Sequence, residues 1–219
     1  MGKEIDLLIN YPKSKRNLDE RALNKTEEQR VIARKFGKDF FDGDRQYGYG
    51  GYNYNSRFWE PVIPTFREYW RMSDTSSLLD VGCGKGFMLY DFKKAMPDLN
   101  IRGIDISNYA IENCKKEVID FLCVGNCTEL PFEDNQFDYT ISINTIHNLD
   151  KKGCAKSLKE IQRVTKINSF ITVDAYRNDI EKERMFKWNL TAKTIMSVNE
   201  WVDFFEENEF KGDYYWFIP

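Results

Sequence analysis

A short glycine run, Gly82-Cys83-Gly84-Lys85-Gly86, follows directly on the apolar stretch LLDV and leads into FMLYDFKKAM. Glycine lets a chain turn sharply and lets a ligand approach the main chain, and the first turn of a helix offers N–H groups with no partner of their own. Asp105 stands nineteen residues beyond Gly86, at the end of the next apolar stretch, IRGID. At the end of a second strand, a carboxylate can accept hydrogen bonds from both hydroxyls of a ribose. Taken singly, each feature has a plainer reading: a tight turn for the glycines, a helix N-cap or a surface charge for Asp105.

Acid–base chemistry has few candidates. His147, in SINTIHNL, is the only histidine. An imidazole changes charge near neutral pH, so His147 is the candidate general base, with a packed or backbone-bonded histidine as the alternative. In DAYRN, residues 174–178, Tyr176 is a second catalytic candidate, while Arg177 and Asn178 could hold a polar or anionic acceptor; Asp174 could cap the helix that follows. A single histidine excludes a multi-histidine metal centre, and the five cysteines form no CxxC pair, so no metal is expected.

The stretch FFDGDRQYGYGGYNYNSRFW, residues 40–59, is dense in aromatic residues and glycine. Tyr47, Tyr49, Tyr52 and Tyr54 alternate in a way that would send rings to two faces, and Arg45 and Arg57 flank them. Glycines supply hinges and tyrosines supply rings with a polar end, so residues 43–57 are expected to form a mobile lid over a substrate, with Tyr47, Tyr49, Tyr52 and Arg57 as substrate contacts. A tyrosine-rich contact in a homodimer, or simple packing cover, is the alternative.

The spacing G-x-G-x-G differs from the dinucleotide fingerprint G-x-G-x-x-G, because Phe87 occupies its third glycine position. D-V-G-C-G-K-G followed by G-I-D-I-S resembles the class I S-adenosylmethionine-dependent methyltransferases, and GNCTELPFEDNQFDYTIS continues the likeness. It runs over roughly residues 76–218. The resemblance implies S-adenosyl-L-methionine as the cofactor, held around Gly82, Gly84 and Gly86. Asp80 would anchor the turn or the cofactor's amino group, Asp105 would hold the ribose, and Ile106 would lie beside it. Asn126 would bond the adenine edge, Cys127 would offer a nearby backbone N–H, and Asn144 would face the methionine portion. The aromatic block resembles that of a small group of bacterial methyltransferases associated with surface-carbohydrate or sugar-nucleotide modification. The resulting expectation is methyl transfer to the oxygen or nitrogen of a small polar metabolite, a sugar or sugar nucleotide among the candidates. An RNA or protein methyltransferase, or a cofactor-binding partner subunit without catalysis, stays open beside it.

The elements that must position these residues follow from the pattern. Short apolar runs at 78–82, 101–106, 121–126, 139–144 and 170–176 alternate with helical stretches at 87–96, 108–119 and 156–165, which predicts a Rossmann-like, doubly wound, mostly parallel α/β sheet. SVNE launches a further helix as a capping box, and GDYYWFI reads as one last strand, so the usual final antiparallel strand is in doubt. Upstream, helical spacing over 24–36 uses Thr26 as N-cap with Ala22, Val31, Ile32 and Phe36 inward, and 57–71 reads as one amphipathic helix. Residues 1–75 are therefore an N-terminal helical and loop extension acting as a cap, and residues 76–219 the cofactor-binding domain. Lys plus Arg total 32 against 35 Asp plus Glu, a net charge of −3, which argues against a broad nucleic-acid surface. No run approaches the ~18 apolar residues of a membrane span, the N-terminus lacks a signal-peptide core, and the odd cysteine count suits reduced thiols, so a cytoplasmic protein is expected.

Overall fold

The computed structural model describes residues 2–12 and 25–218. Among these residues seven strands form one sheet: β1 (Ser77–Val81), β2 (Asn100–Asp105), β3 (Leu122–Val124), β4 (Phe137–Ile143), β5 (Thr165–Tyr176), β6 (Met196–Ser197) and β7 (Asp213–Phe217). The order is β3-β2-β1-β4-β5-β6, with β7 also paired to β5, and every pairing between these strands is parallel. Parallel strands need crossover helices on both faces, which is why their sequences are apolar throughout.

Each face carries its own core. Leu79, Val81, Ile171, Val173 and Ala175 pack with α7 (Lys151–Val164) and α9 (Val198–Glu207). Leu78, Tyr139, Ile141 and Phe170 pack with α4 (Ile63–Trp70) and α5 (Phe87–Ala95) on the opposite face. Side chains alternate along a strand, so Asp80 shares the second face with Leu78, and Asp174 shares it with Phe170.

The extension is woven into this body. Leu7, 1% exposed, lies in the second core beside Val62 and Phe66. Lys3 C=O accepts from Tyr214 N–H at 3.1 Å and Ile5 N–H donates to Tyr214 C=O at 3.0 Å, so the N-terminal residues run parallel to β7 and cover its edge. The edge left open by the sequence is thus closed by a local parallel bridge rather than by an antiparallel strand among the described residues.

Several predicted elements change in detail. The helix predicted over 24–36 is α1 (Glu27–Ala33), with a capping box between Thr26 and Gln29; Ala33 is its buried residue and Val31 is exposed, while Ala22 lies outside the described residues. The helix predicted over 57–71 is split into α3 (Ser56–Trp59) and α4, because Pro61 has no N–H to continue the ladder. The helix predicted over 108–119 stops as α6 (Asn108–Glu112) and resumes as a 3₁₀ turn, Lys116–Phe121. The short α2 (Lys38–Phe41), absent from the sequence reading, and α8 (Asp179–Trp188), the helix expected to follow Asp174, complete the helices among the described residues; Asn178, not Asp174, caps α8.

Candidate active site

The glycine turn is sewn to the end of β2. Gly82 and Cys83 N–H donate to Ile104 C=O, and Gly84 N–H donates to Asp105 Oδ2 at 2.8 Å. Asp105 Oδ1 accepts from Ser107 N–H at 2.9 Å, so the carboxylate orients both its own loop and the turn opposite. Gly82 has φ +87°, and a side chain there would strike Thr145 in the loop after β4. Gly86, at φ +72°, begins α5, and a side chain there would strike Leu122 and Val118. Gly86 therefore serves the packing of α5 against β3 and does not line the cavity.

Above the turn opens a cavity of about 990 Å³. Asp80, Gly82, Gly84, Asp105, Ile106, Asn126, Cys127 and Asn144 all line it, so the structure brings together eight of the nine residues that sequence reasoning assigned to the cofactor. Asp80 is 5% exposed, and no hydrogen bond reaches its carboxylate among the described residues. Burial first, then the neighbouring Asp105 charge, pushes its pKa up to about 8. An ammonium placed beside it would restore the missing counter-charge, which is the group that the methionine portion of S-adenosylmethionine carries. Ile106 is 55% exposed and offers an apolar surface at the cavity edge. Asn126 Oδ1 accepts from Thr128 N–H, and Asn144, at φ +51°, donates its backbone N–H to Thr172 Oγ1 and accepts the Thr172 hydroxyl at its Oδ1.

The aromatic block forms the roof. Tyr49 and Tyr52 line the cavity with ring centroids 4.3 Å apart, and Tyr52 stacks on Phe87 over the glycine turn. Tyr54 faces the body instead, donating to Asp91 at 2.5 Å. Tyr47 and Arg57 do not line the cavity; the Arg57 guanidinium lies over the Phe58 ring. Arg45 lines it and donates to Tyr49 C=O. The block is tied down at its root, where Lys85 Nζ donates to both Asp42 oxygens and to Tyr52 C=O, and Tyr109 donates to Asp42 as well.

At the far end, beyond β4 and β5, His147 is 3% exposed and its Nδ1 accepts the Asp174 backbone N–H at 2.9 Å. Burial lowers its pKa, against the pull of the Asp174 charge, so the imidazole is neutral with its proton on Nε2. The lone pair that a base needs is engaged. His147 side chain continues the ladder where β4 stops pairing with β5 at Thr172. Tyr176 lies outside the cavity with its hydroxyl 3.4 Å from Glu200, whereas Arg177 lines it. Sequence reasoning missed Asp6, Leu8 and Tyr11 from the N-terminal segment, Trp188 from α8 and Asp174 as a cavity carboxylate. The first three had no local signal, since they reach the site only by long-range pairing with β7. No group of histidine, cysteine or acidic side chains suited to a metal occurs among the described residues.

Residues 78–168 match the family described as the methyltransferase domain. The chain is similar to the malonyl-[acyl-carrier protein] O-methyltransferase of Legionella pneumophila, 28% identical over 130 residues that cover 58% of this chain and 45% of that one. It is similar to the demethylmenaquinone methyltransferase of Symbiobacterium thermophilum, 30% identical over 57% of this chain and 52% of that one. The chain of a Bacillus subtilis protein, YcgJ, superposes with a TM-score of 0.54 at 18% identity, covering 67% of this chain and 66% of its own. Residues 78–168 thus resemble a class I S-adenosylmethionine-dependent methyltransferase domain, and the parallel sheet is that of such a fold. The likeness implies S-adenosylmethionine as the donor, which would supply a methyl group from a positively charged sulfur. The methyltransferase domain match stops short of the roof, since residues 1–77 lie outside it, and the chain spans about half the length of the two curated relatives named above. No helix among the described residues is long and apolar enough to cross a membrane.

Proposed function

We propose that this protein transfers the methyl group of S-adenosylmethionine to the oxygen or nitrogen of a small molecule held beneath the tyrosine-rich roof. The observation that carries the reading is the cavity itself. Its volume of about 990 Å³ is at the top of the roughly 300–1,000 Å³ range of small-molecule pockets, which leaves room for an acceptor beside the donor. One end is floored by Asp80, the glycine turn and Asp105, and the other by Asn144, Thr172 and Asp174. Methyl transfer from a sulfonium needs the two reactants held in line more than it needs covalent help, and a roofed cavity does that while excluding water.

An RNA or protein acceptor would need an open approach, but the N-terminal segment and residues 36–52 stand across this one. Arg177 at the rim suits an acceptor with an anionic or strongly polar end, and a sugar or sugar nucleotide meets that description. Incubation with S-adenosylmethionine and a panel of sugars, sugar nucleotides and small metabolites, read by mass spectrometry for one added methylene, tests the proposal. Product formation is expected from a small-molecule acceptor. Transfer only to RNA or protein, or tight binding of the donor with no transfer to anything, would sink it.

A further inference from the structure

We propose that Asp174 is the general base of this site and that the acceptor reacts through a hydroxyl or N–H that still carries its proton at neutral pH. The inference rests on the methyl-transfer reading above. Asp174 is 7% exposed, lines the cavity, and no hydrogen bond reaches either carboxylate oxygen among the described residues. The nearest basic atom is His147 Nδ1 at 3.7 Å, and its lone pair already faces the Asp174 N–H, so it does not neutralise the carboxylate.

The main chain of Asp174 is clamped on both sides. Its N–H is held by His147, and its C=O accepts from Trp201 Nε1 at 3.0 Å, with Trp201 fully buried. Such fixing of the backbone by buried partners holds in place the point from which the reacting carboxylate projects. Burial raises the Asp174 pKa, partly offset by His147, which strengthens the carboxylate as a proton acceptor.

The other cavity carboxylates are placed for different work. Asp105 is engaged by two backbone N–H groups, Asp6 accepts from Leu8 N–H, and Asp80 sits two residues before the glycine turn. β4 lies between β1 and β5, and Asp80 is level with Phe170 through Ile141, so Asp174 stands two strands (~10 Å at ~4.8 Å each) across the sheet from Asp80 and four residues (~13 Å) farther along it. One carboxylate thus faces the donor end and the other the acceptor end. In the step, the acceptor oxygen or nitrogen forms the bond to the methyl carbon. The carbon–sulfur bond breaks with its electron pair left on sulfur, and the acceptor's proton passes to Asp174 and later to water.

The test compares wild type, Asp174→Asn and Asp174→Glu on a panel of phenols, sugar hydroxyls and amines beside carboxylic acids, with S-adenosylmethionine as donor. Binding of S-adenosylhomocysteine by calorimetry and thermal melting are measured on each variant. Asp174→Asn is expected to bind S-adenosylhomocysteine like wild type and to lose roughly 10²–10⁴-fold in turnover, with part regained in Asp174→Glu. Across acceptors of graded acidity the defect should shrink as the acceptor ionises more readily by itself, a trend that a structural role would not produce. Wild-type turnover in Asp174→Asn overturns the base and leaves the methyl-transfer reading intact. Transfer confined to carboxylic acids overturns the acceptor class. No transfer to any compound with S-adenosylhomocysteine still bound removes the methyl-transfer reading itself.

Discussion

Lys85 Nζ in the glycine turn lies 2.6 Å from Asp42 Oδ2 in the N-terminal roof. Lys85 is 5% exposed, so this ion pair ties the part of the chain that floors the cavity to the part that covers it. The same carboxylate accepts Tyr52 N–H and the Tyr109 hydroxyl. Asp42→Ala would leave the Lys85 ammonium with Tyr52 C=O as its hydrogen-bond acceptor and the Tyr109 ring beside it, a loss of about 1–3 kcal/mol on the scale of unsatisfied buried groups.

The expected outcome of that substitution is a loosened roof over an intact sheet. Amide exchange in 40–54 should quicken in Asp42→Ala, with the strands unchanged. In wild type, Tyr49 N–H to Phe40 C=O and Gly51 N–H to Phe41 C=O should be slow already, which would make the root of the block a fixed cover rather than the mobile lid expected from its glycines. Fast exchange of both amides in wild type would restore the mobile lid. Burial pushes the Asp42 carboxyl up, but hydrogen bonds from Lys85, Tyr52 and Tyr109 outweigh it and its pKa lies below the ordinary value. A depressed acid stabilises above its unfolded pKa and loses that contribution as pH falls through the folded one, so the roof should loosen first on acidification.

Asp80 has the opposite sign. Its folded pKa of about 8 exceeds the ordinary 3.8, so its contribution to stability is fully present below about pH 4 and is lost as pH rises through 8. Asp80→Asn should therefore gain on wild type in thermal stability across that window. A ligand ammonium favours the ionised form, so binding of S-adenosylhomocysteine at pH 7 should release protons from the wild-type protein, and none from Asp80→Asn. Calorimetry in two buffers of different ionisation enthalpy reads this directly. Equal proton release from both proteins would remove Asp80 from the ammonium site.

Asp105→Ala should weaken S-adenosylhomocysteine binding by ~1.5–3 kcal/mol, the worth of hydrogen bonds to a charged group. Part of that loss belongs to the turn, because Gly84 N–H and Ser107 N–H lose their acceptor too. Asp105→Asn keeps an acceptor oxygen and should fall between. Unchanged affinity in Asp105→Ala, measured by calorimetry, would place the ribose elsewhere.

The parallel sheet and the glycine-turn end of the cavity were legible because their signals are local. A strand, a glycine turn and a helix stand in sequence at 78–95, and the carboxylate follows one strand later. The acceptor end was not, because its pieces meet only through the fold. Leu8 and Tyr11 arrive through the pairing of Glu4 with Tyr214, and Trp188 arrives on a helix whose apolar residues, Ile180 and Phe186, point to solvent and leave Met185 as its buried one. The alternation of the tyrosines did mark two faces, but which face each ring took was decided by Phe87 and Asp91.

His147 is where residue type and geometry diverge, and a substitution separates its two roles. A base must present a lone pair to the acceptor, yet Nδ1 accepts the Asp174 N–H and Nε2 carries the proton. His147→Ala leaves that buried N–H without an acceptor and opens a void under the loop, so it should cost at least ~1–3 kcal/mol of stability. In His147→Asn the side-chain Oδ1 falls close to the place of Nδ1 and can accept the same N–H. If the ring extends the ladder, His147→Asn should keep most of the thermal stability and a turnover within a few-fold of wild type, while His147→Ala loses stability and, by releasing Asp174, turnover with it. If the ring is the base, both substitutions should cut turnover by roughly 10²–10⁴-fold whatever their stability. A His147→Asn protein that melts like wild type and has lost its turnover would return the base role from Asp174 to His147.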